Sequence, residues 1–329
     1  MEGRCSMDPY FIIQQTMFFV IPLLVVALGG MFSEKSGIIN IGLEGVMIVG
    51  AFTGVIFINI MQTAGLFASA PQLLLIIALI LSAIVGMIYS SALAVAAIHL
   101  KADQTIIGTA LNMFAPAAVI FIARATSPDQ VKQVFFSPAV FKIDKVPLLG
   151  DIPIIGKMFF QNTYITFIIG IIILIASIVI LYKTRFGLRL SACGEHPQAA
   201  SSVGVNVYKM RWAGVLMSGA LAGLGGLIYI VPTSTSFSGD VAGYGFLALA
   251  VMIFGQWKPF RIFLAALFFG FFKALSAAYG GIDFITDLKI PTDIATYIFN
   301  LIPYLATVIA LAFSSRKSRA PKAEGIPYD

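Results

Sequence analysis

Long apolar runs separated by short polar segments constrain the fold of this chain more than any other feature. A helix needs roughly 20 apolar residues to cross the hydrocarbon core of a bilayer, and about nine runs approach that length. With 59% hydrophobic and 11% charged residues, the chain has more apolar surface than a soluble protein of 329 residues can bury. The sequence therefore predicts an all-α, polytopic transmembrane helical bundle of about nine spans (roughly 8 to 10). The predicted spans are 10–31, 44–61, 72–98, 104–122, 162–182, 211–231, 243–256, 261–279 and 294–313.

Two of these spans contain residues that interrupt a membrane helix. Irregular backbone at membrane depth is tolerated only where protein buries it or where it lines a water-filled cavity. We therefore expect the fourth and seventh spans to be broken or re-entrant helices, which often flank the central site of a transporter. The interrupting residues are Gln104, Thr105, Gly108, Thr109 and Asn112 in the fourth span and Gly243, Gly245 and Gly255 in the seventh.

Basic residues in the short loops predict the orientation of the bundle, because cytoplasmic loops of membrane proteins are enriched in Lys and Arg. A coupling loop at about 183–210, the 256–261 loop and the residues after the last span are all basic, which places them in the cytoplasm. The acidic 278–293 connection is predicted to be external. The orientation of the N-terminus is left open.

The predicted spans also divide the chain into regions. Residues 1–313 would form a transmembrane permease domain, and residues 314–329 a cytoplasmic tail. The loop at about 123–161 is proline-rich and of mixed polarity, which favours a folded external cap. Its five basic residues fit an external position poorly, but three other loops would have to be inverted to move it inside.

A polar, glycine-rich stretch, the 33–45 segment, lies between the first two spans. Each polar group left unsatisfied in a bilayer costs several kcal/mol. Asn40, Gly42 and Glu44 are therefore expected to serve a transport pathway or to shape a broken helix, and the sequence favours neither role.

A second informative stretch, the 194–203 segment, lies in the basic loop after the fifth span. Pro197 suits the first turn of a helix, small residues follow it, and Gly204 suits the end of one. A short helix of this kind could insert into a groove of a soluble partner and transmit its motion to the flanking spans. A solvated connecting loop is the alternative.

Several kinds of chemistry lack the residues they need. The chain has no Gly-x-x-x-x-Gly-Lys-[Ser/Thr] loop, and the Gly223–Gly226 stretch lies inside an apolar span, which favours close helix packing. Two histidines and two cysteines at unrelated positions predict neither a metal site nor catalysis by this chain alone. The scattered basic residues do not suggest nucleic acid as a partner, whereas membrane lipid is expected to surround the bundle.

Two stretches match the sequence patterns of a known family. The 33–45 segment follows a Glu-Arg-Ser-Gly-Val-Val-Asn-Ile-Gly-Leu-Glu-Gly signature, with Lys35 in place of the usual arginine. The basic loop follows a Gly-Leu-Arg-Leu-x-Ala-x-Gly-Glu-His-Pro-x-Ala-Ala pattern. On these motifs the chain closely resembles permease subunits of bacterial ABC importers of the ribose and nucleoside type, in the branched-chain amino acid/ribose permease superfamily. The matching positions are Glu34, Ser36, Gly37, Asn40–Gly45, Gly187–Leu190, Ala192, Gly194–Pro197, Ala199 and Ala200, with further matches at 218–226, 245–255, 257–259 and 319–328.

The resemblance implies a coupling helix that contacts an ABC ATPase subunit. ATP and Mg would then be used by that partner, and this chain would hold no cofactor. The resemblance also implies an external substrate-binding lipoprotein and a second permease subunit. Because the chain looks like the shorter nucleoside permease, the second is expected to be a non-identical, longer paralogue. The implied coupling residues are Gly194, Glu195, His196, Pro197, Ala199 and Ala200.

Polar residues within the predicted spans are the candidate substrate-pathway residues. Amide side chains suit a ribose hydroxyl or the edge of a base, although they also commonly bond across helices. The candidates are Asn40, Glu44, Gln104, Thr105, Thr109 and Asn112.

The sequence thus predicts a permease subunit of an ATP-driven ABC importer in the bacterial inner (cytoplasmic) membrane. It would translocate nucleosides, or alternatively ribose or another simple sugar, by alternating access, and its C-terminus would be cytoplasmic. An ion-coupled secondary transporter of a small polar solute could use Glu44 as a proton carrier, but it would leave the 194–203 segment unexplained. A membrane-embedded enzyme would need a nucleophile, an acid/base pair or a metal site that the sequence does not suggest.

Overall fold

The computed structural model describes residues 9–126, 133–146, 150, 152–153, 156–278, 301, 305, 308 and 320–328. The helices are α1 (Pro9–Lys35), α2 (Leu43–Thr63), α3 (Pro71–Ala94), α4 (Gln104–Thr126), α5 (Ile165–Lys183), α6 (Arg185–Glu195), α7 (Pro197–Ser202), α8 (Val207–Thr233), α9 (Tyr244–Phe254) and α10 (Pro259–Ala278). The strands are β1 (Val134–Phe135), β2 (Lys142–Lys145), β3 (Gln161–Tyr164) and β4 (Ser236–Phe237).

Seven of the described helices are long and apolar enough to cross a membrane, which confirms a polytopic helical bundle. They are α1 to α5, α8 and α10, and α3 is prolonged by a wider turn at Val95–His99. The seventh predicted span corresponds to α9, which is too short to cross. The ninth, 294–313, lies outside the described residues apart from 301, 305 and 308. The described part of the chain therefore contains seven full-length helices, against the nine spans predicted.

The core of the bundle is built from α1, α2 and α8. In the most apolar part of α1, 83% of the residues are buried, against 22% in α4. α1 packs against α8, α10, α9 and α5, while α8 also packs against α2 and α3. α4 and α5 therefore lie at the periphery, where their apolar side chains suit lipid or a second membrane subunit.

Glycines allow the backbones of α2, α3 and α8 to touch. A Cβ atom at Gly223 would lie 2.9 Å from the Cα atom of Gly86, and one at Gly226 would lie 2.8 Å from the carbonyl carbon of Met47. Small residues at such crossings are what permit close helix approach in membranes. The packing role predicted for Gly223–Gly226 is confirmed by these contacts.

We expect Gly226→Ala to destabilise the protein by about 1–3 kcal/mol, because its methyl group meets the backbone of Met47, which cannot rotate away. Gly30→Ala is the matched control, since the methyl group at this helical glycine meets the flexible side-chain ends of Met252 and Leu43, which can move aside. Thermal unfolding of both variants in detergent measures the difference. An equal melting temperature for the two would contradict the backbone contact.

α9 confirms that the seventh predicted span is interrupted. Its 11 residues rise about 16 Å, roughly half of the hydrocarbon core. The helix begins after Gly243, whose φ of +74° is a left-handed conformation that glycine adopts at low cost. α9 is thus a half-length helix whose N-terminus lies inside the bundle, against the first turn of α2.

The fourth predicted span is one continuous helix, so the prediction that it is broken is wrong. α4 runs without interruption from Gln104 to Thr126, with Pro116 inside it. Its polar side chains do not disturb the helix, because two of them, Gln104 and Asn112, bond to backbone groups of the 33–45 segment.

Four short strands depart from an all-helical chain. β1 pairs with β4 and β2 pairs with β3, both antiparallel. Side chains near the end of α2 fasten this region: Asn59 Nδ2 donates to the Phe135 carbonyl at 2.8 Å, and Gln62 Nε2 donates to the Ser137 carbonyl at 3.1 Å. Residues 133–146 therefore cover the end of the bundle opposite to the 33–45 segment.

Candidate functional site

The 33–45 segment is a tight turn that joins α1 to α2. Ser33 Oγ donates to the Ile38 carbonyl at 2.7 Å, and Ser36 Oγ donates to the Ser33 carbonyl at 2.6 Å. Gly37 adopts a φ of +95°, and a Cβ atom there would lie 3.1 Å from Nη2 of Arg211. The segment is thus closed by its own side chains and pressed against α8.

Glu44 caps the N-terminus of α9. Its Oε1 accepts from the Gly243 backbone N–H at 2.9 Å, and its Oε2 accepts from the Gly245 N–H at 2.6 Å. Unsatisfied N–H groups and the positive end of the helix dipole both favour a carboxylate at this place. A Cβ atom at Gly245 would lie 2.5 Å from the Glu44 Cα, so the two backbones are in contact. These contacts make Glu44 the residue that holds the half-length helix in position.

Two amides of α4 satisfy backbone groups of the 33–45 segment. Asn112 Oδ1 accepts from the Gly45 N–H at 2.8 Å, while its Nδ2 donates to the Ile41 carbonyl at 2.9 Å. Gln104 Oε1 accepts from the Ile39 N–H at 2.7 Å. The peripheral α4 is therefore fastened to the turn at two levels.

Asn40 connects the same turn to α8. Its Nδ2 donates to Ser218 Oγ at 2.8 Å, and the side chain is 1% exposed. Within the described part of the chain, Asn40 Oδ1 and Gln104 Nε2 are buried without a hydrogen-bond partner. Each of these two atoms is thus a polar group next to the 33–45 segment whose bonding capacity no described residue uses.

The structure brings together four of the six candidate pathway residues. Asn40, Glu44, Gln104 and Asn112 surround the 33–45 segment, whereas Thr105 and Thr109 lie on an exposed face of α4. The Thr109 hydroxyl donates to the Thr105 carbonyl of its own helix at 2.8 Å. Contact of any of the six with substrate stays a prediction.

Replacing Asn112 separates a structural role from a substrate contact. We expect Asn112→Leu to cost about 2–4 kcal/mol, because a backbone donor and a backbone acceptor lose their partners. Thr109→Val, the control on the same helix, should leave stability unchanged. The melting temperature in detergent and the KM of uptake are measured together. A changed KM with an unchanged melting temperature would instead indicate that Asn112 binds substrate.

Several residues of the site are not found by sequence reasoning. Ser218 and Trp257 lie within stretches that match the family pattern, but no local signal reveals their partners. Trp257 Nε1 donates to Glu34 Oε2 at 2.5 Å, across 223 residues of sequence. Tyr244 stacks on Tyr229 with ring centroids 4.0 Å apart, next to the α9 cap, and its buried hydroxyl has no partner among the described residues.

The 194–203 segment contains the short helix predicted there. α7 spans Pro197–Ser202 with proline in its first turn, and Gly204 follows with a φ of +84°. Glu195, His196, Ala199 and the 78%-exposed Val203 point outward, whereas Gly194 and Ala200 are buried. The outward side chains form a surface on which a partner could dock.

Gly194 joins this surface to the 33–45 segment. A Cβ atom at Gly194 would meet the Lys35 backbone, 2.9 Å from its carbonyl carbon. Cys193 beside it is buried, and burial raises the pKa of its thiol. Of the residues implied to couple to an ATPase, Gly194 and Ala200 therefore position the segment, and Glu195, His196 and Ala199 lie at its surface.

No metal site stands out in the part of the chain that the structure describes. Among those residues, no group of three or more His, Cys, Asp or Glu side chains is placed to hold a metal ion. The expected absence of a metal site stays a prediction.

Comparison with known proteins identifies related sequences along nearly the whole chain. Residues 12–311 match the family model described as branched-chain amino acid transport system / permease component. The guanosine ABC transporter permease protein NupQ of Bacillus subtilis is 42% identical over 322 residues, which cover 96% of each chain. The nucleoside ABC transporter permease protein NupC of Lactococcus lactis is 41% identical over 324 residues, again 96% of each chain.

A second Lactococcus lactis protein is more distant. The nucleoside ABC transporter permease protein NupB is 27% identical over 324 residues, which cover 94% of this chain and 83% of NupB. No solved structure matches the chain.

Proposed function

Because this chain belongs to the family of branched-chain amino acid transport system permease components, we propose that it is the membrane permease subunit of an ATP-driven ABC importer of nucleosides. Similarity over 96% of the chain to two permeases named for guanosine and for nucleosides is the observation that carries the substrate class. Ribose or another simple sugar is the alternative substrate. The chain is a multi-pass membrane protein and is not an enzyme by itself.

The proposed importer needs partners that supply energy and substrate. Membership of an ABC permease family implies an ATPase subunit and a second permease. ATP and Mg are used by the ATPase, and a substrate-binding lipoprotein delivers the nucleoside from outside. NupB is longer than the segment that aligns with this chain, which supports a longer, non-identical paralogue as the second permease.

The geometry suggests how the subunit would respond to ATP. The exposed side chains of the 194–203 segment dock on the ATPase, on the cytoplasmic side of the inner membrane. Gly194 contacts the end of α1, so movement of α6 and α7 reaches the 33–45 segment directly. From there Glu44 connects to α9, and Asn112 to α4. Rearrangement of these elements opens the pathway to alternate sides of the membrane.

The arrangement of Glu44 argues against the ion-coupled alternative. A proton carrier must exchange protons with a water-filled path, but both oxygens of Glu44 accept from the backbone of α9. Protonation of either oxygen would weaken the cap. NupQ and NupC are both named as ABC transporter permeases, which gives the ion-coupled reading no support.

Reconstitution in proteoliposomes tests the proposal. The chain is combined with the ATPase, the longer permease and the binding protein of the proposed importer, and uptake of radiolabelled guanosine is measured with ATP inside. We expect uptake that requires ATP and stops when the ATPase carries an inactive nucleotide site. Uptake by this chain alone, driven by an H⁺ or Na⁺ gradient, would overturn the proposal. Competition by ribose but not by other nucleosides would overturn the substrate class.

A further inference from the structure

The end of the chain folds back onto the cytoplasmic corner of the bundle. The Ala323 backbone N–H donates to the Gly194 carbonyl at 2.8 Å, and the Gly325 N–H donates to the Gly37 carbonyl at 3.1 Å. One short stretch, the 320–328 segment, is thus bonded at once to the end of α6 and to the turn between α1 and α2. These two elements are the ones through which movement of the docking surface would reach the membrane helices.

Close contacts show that the segment packs tightly against the helix bundle and does not lie loosely on its surface. Gly325 adopts a φ of +75°, and a Cβ atom there would lie 2.9 Å from Cδ1 of Ile39. Pro321 and Ala323 are buried. On the opposite side, Gly37 leaves room for the Ala323 carbonyl oxygen, because a Cβ atom at Gly37 would lie only 3.3 Å from it. Both glycines have positive φ, so a larger side chain at either position would strain the backbone and crowd this contact.

α8 forms the third side of this contact. Arg211 Nη2 donates to the Ile326 carbonyl at 3.0 Å, and the arginine is 1% exposed. The ring of Tyr328 packs edge-on against Tyr208, with centroids 5.4 Å apart. Arg211, the first residue of the predicted 211–231 span, is therefore covered by the 320–328 segment and is bonded to its backbone.

We propose that the 320–328 segment is a strap that holds the 194–203 segment against the 33–45 segment. The strap makes α6 and α7 move as one body with the end of α1. A conformational change of the ATPase therefore displaces the transport helices. The inference rests on the proposed function, because it concerns how ATP hydrolysis is coupled to transport.

Removing the strap tests its role in the reconstituted complex. We expect a chain that ends at Arg319 to bind the ATPase and hydrolyse ATP at the wild-type rate, while uptake per ATP hydrolysed falls at least tenfold. Equal uptake per ATP in the truncated and full-length chains would overturn the strap. Loss of ATPase binding on truncation would also overturn it, because the segment would then be part of the docking surface. Absence of ATP-dependent uptake by the wild-type complex would instead overturn the proposed function.

A point variant keeps the test valid if the truncated chain does not fold. Gly325→Val forces a branched side chain into a left-handed backbone and against Ile39, so we expect the same loss of coupling in a full-length chain. Lys322→Ala is the control, since Lys322 lies in the same segment with an exposed side chain. Hydrogen exchange reports docking independently of activity: the Ala323 and Gly325 amides should be protected in wild type and Lys322→Ala and exchange faster in Gly325→Val. Equal protection in all three would contradict the strap.

Discussion

Glu44→Ala is expected to reduce nucleoside uptake at least tenfold while leaving ATP hydrolysis by the complex in place. The substitution removes the acceptor of the buried Gly245 N–H, at a cost of about 1–3 kcal/mol, and that of the part-buried Gly243 N–H. It also removes the negative charge from the N-terminus of α9. The first turn of this half-length helix then loses the contacts that fix its position against α2.

Two companion variants show whether Glu44 acts through α9 or on the substrate. Glu44→Gln keeps one carbonyl oxygen for the α9 amides. Its uptake rate should therefore lie between those of wild type and Glu44→Ala. Hydrogen exchange at the Gly243 and Gly245 amides should be slowest in wild type, faster in Glu44→Gln and fastest in Glu44→Ala. If uptake fell through a higher KM while both amides stayed protected, Glu44 would be a substrate contact and its capping role would not explain the loss.

Glu44 also shows how far sequence reasoning reaches in this protein. Polarity and glycine in the 33–45 segment predict a costly break between two membrane helices, and the structure confirms that break. The backbone N–H groups that bond to the Glu44 carboxyl group lie 199 and 201 residues away, at Gly243 and Gly245. Local composition reveals that polar groups need partners, but the packing of distant helices decides which partners they find.

The same limit explains the error on α4. Gln104 and Asn112 were expected to interrupt the fourth span, because polar side chains in lipid are costly. In the structure both face the 33–45 segment and satisfy its backbone, so α4 keeps an intact helix and the turn keeps its hydrogen bonds. A polar residue in an apolar run therefore marks a contact between elements as readily as a break in one.

Arg211 shows the converse case. Loop charges predict the orientation of a membrane protein because exposed Lys and Arg stay on the cytoplasmic side. Arg211 lies one turn inside α8, fully buried, and donates to the Ile326 carbonyl near the end of the chain. The count of basic residues does not distinguish a topology signal from a buried structural cation, since that difference arises only when the tail folds back.

The second large effect is expected at the exposed surface of α7. Ala199→Arg places a long, newly charged side chain in the centre of the outward surface of α7, near the 78%-exposed Val203. Because Ala199 is exposed, the permease should insert and fold as wild type does. Its complex with the ATPase should be lost, and ATP-dependent uptake with it, since even one charge without a partner in a docking interface costs several kcal/mol.

Ala68→Arg is the matched control for that substitution. Ala68 is equally exposed but lies in the turn between α2 and α3, at the opposite end of the bundle, so the same new side chain should leave ATPase binding unchanged. Co-purification of the ATPase with each variant and uptake in proteoliposomes measure the two effects. Because Gly194 and Ala200 are buried while Ala199 is not, the loss should appear as failed assembly and not as a lower melting temperature. If Ala199→Arg retained a bound, active ATPase and normal uptake, the docking surface would lie elsewhere on the cytoplasmic face, and contact between Gly194 and Lys35 would no longer be a route for coupling.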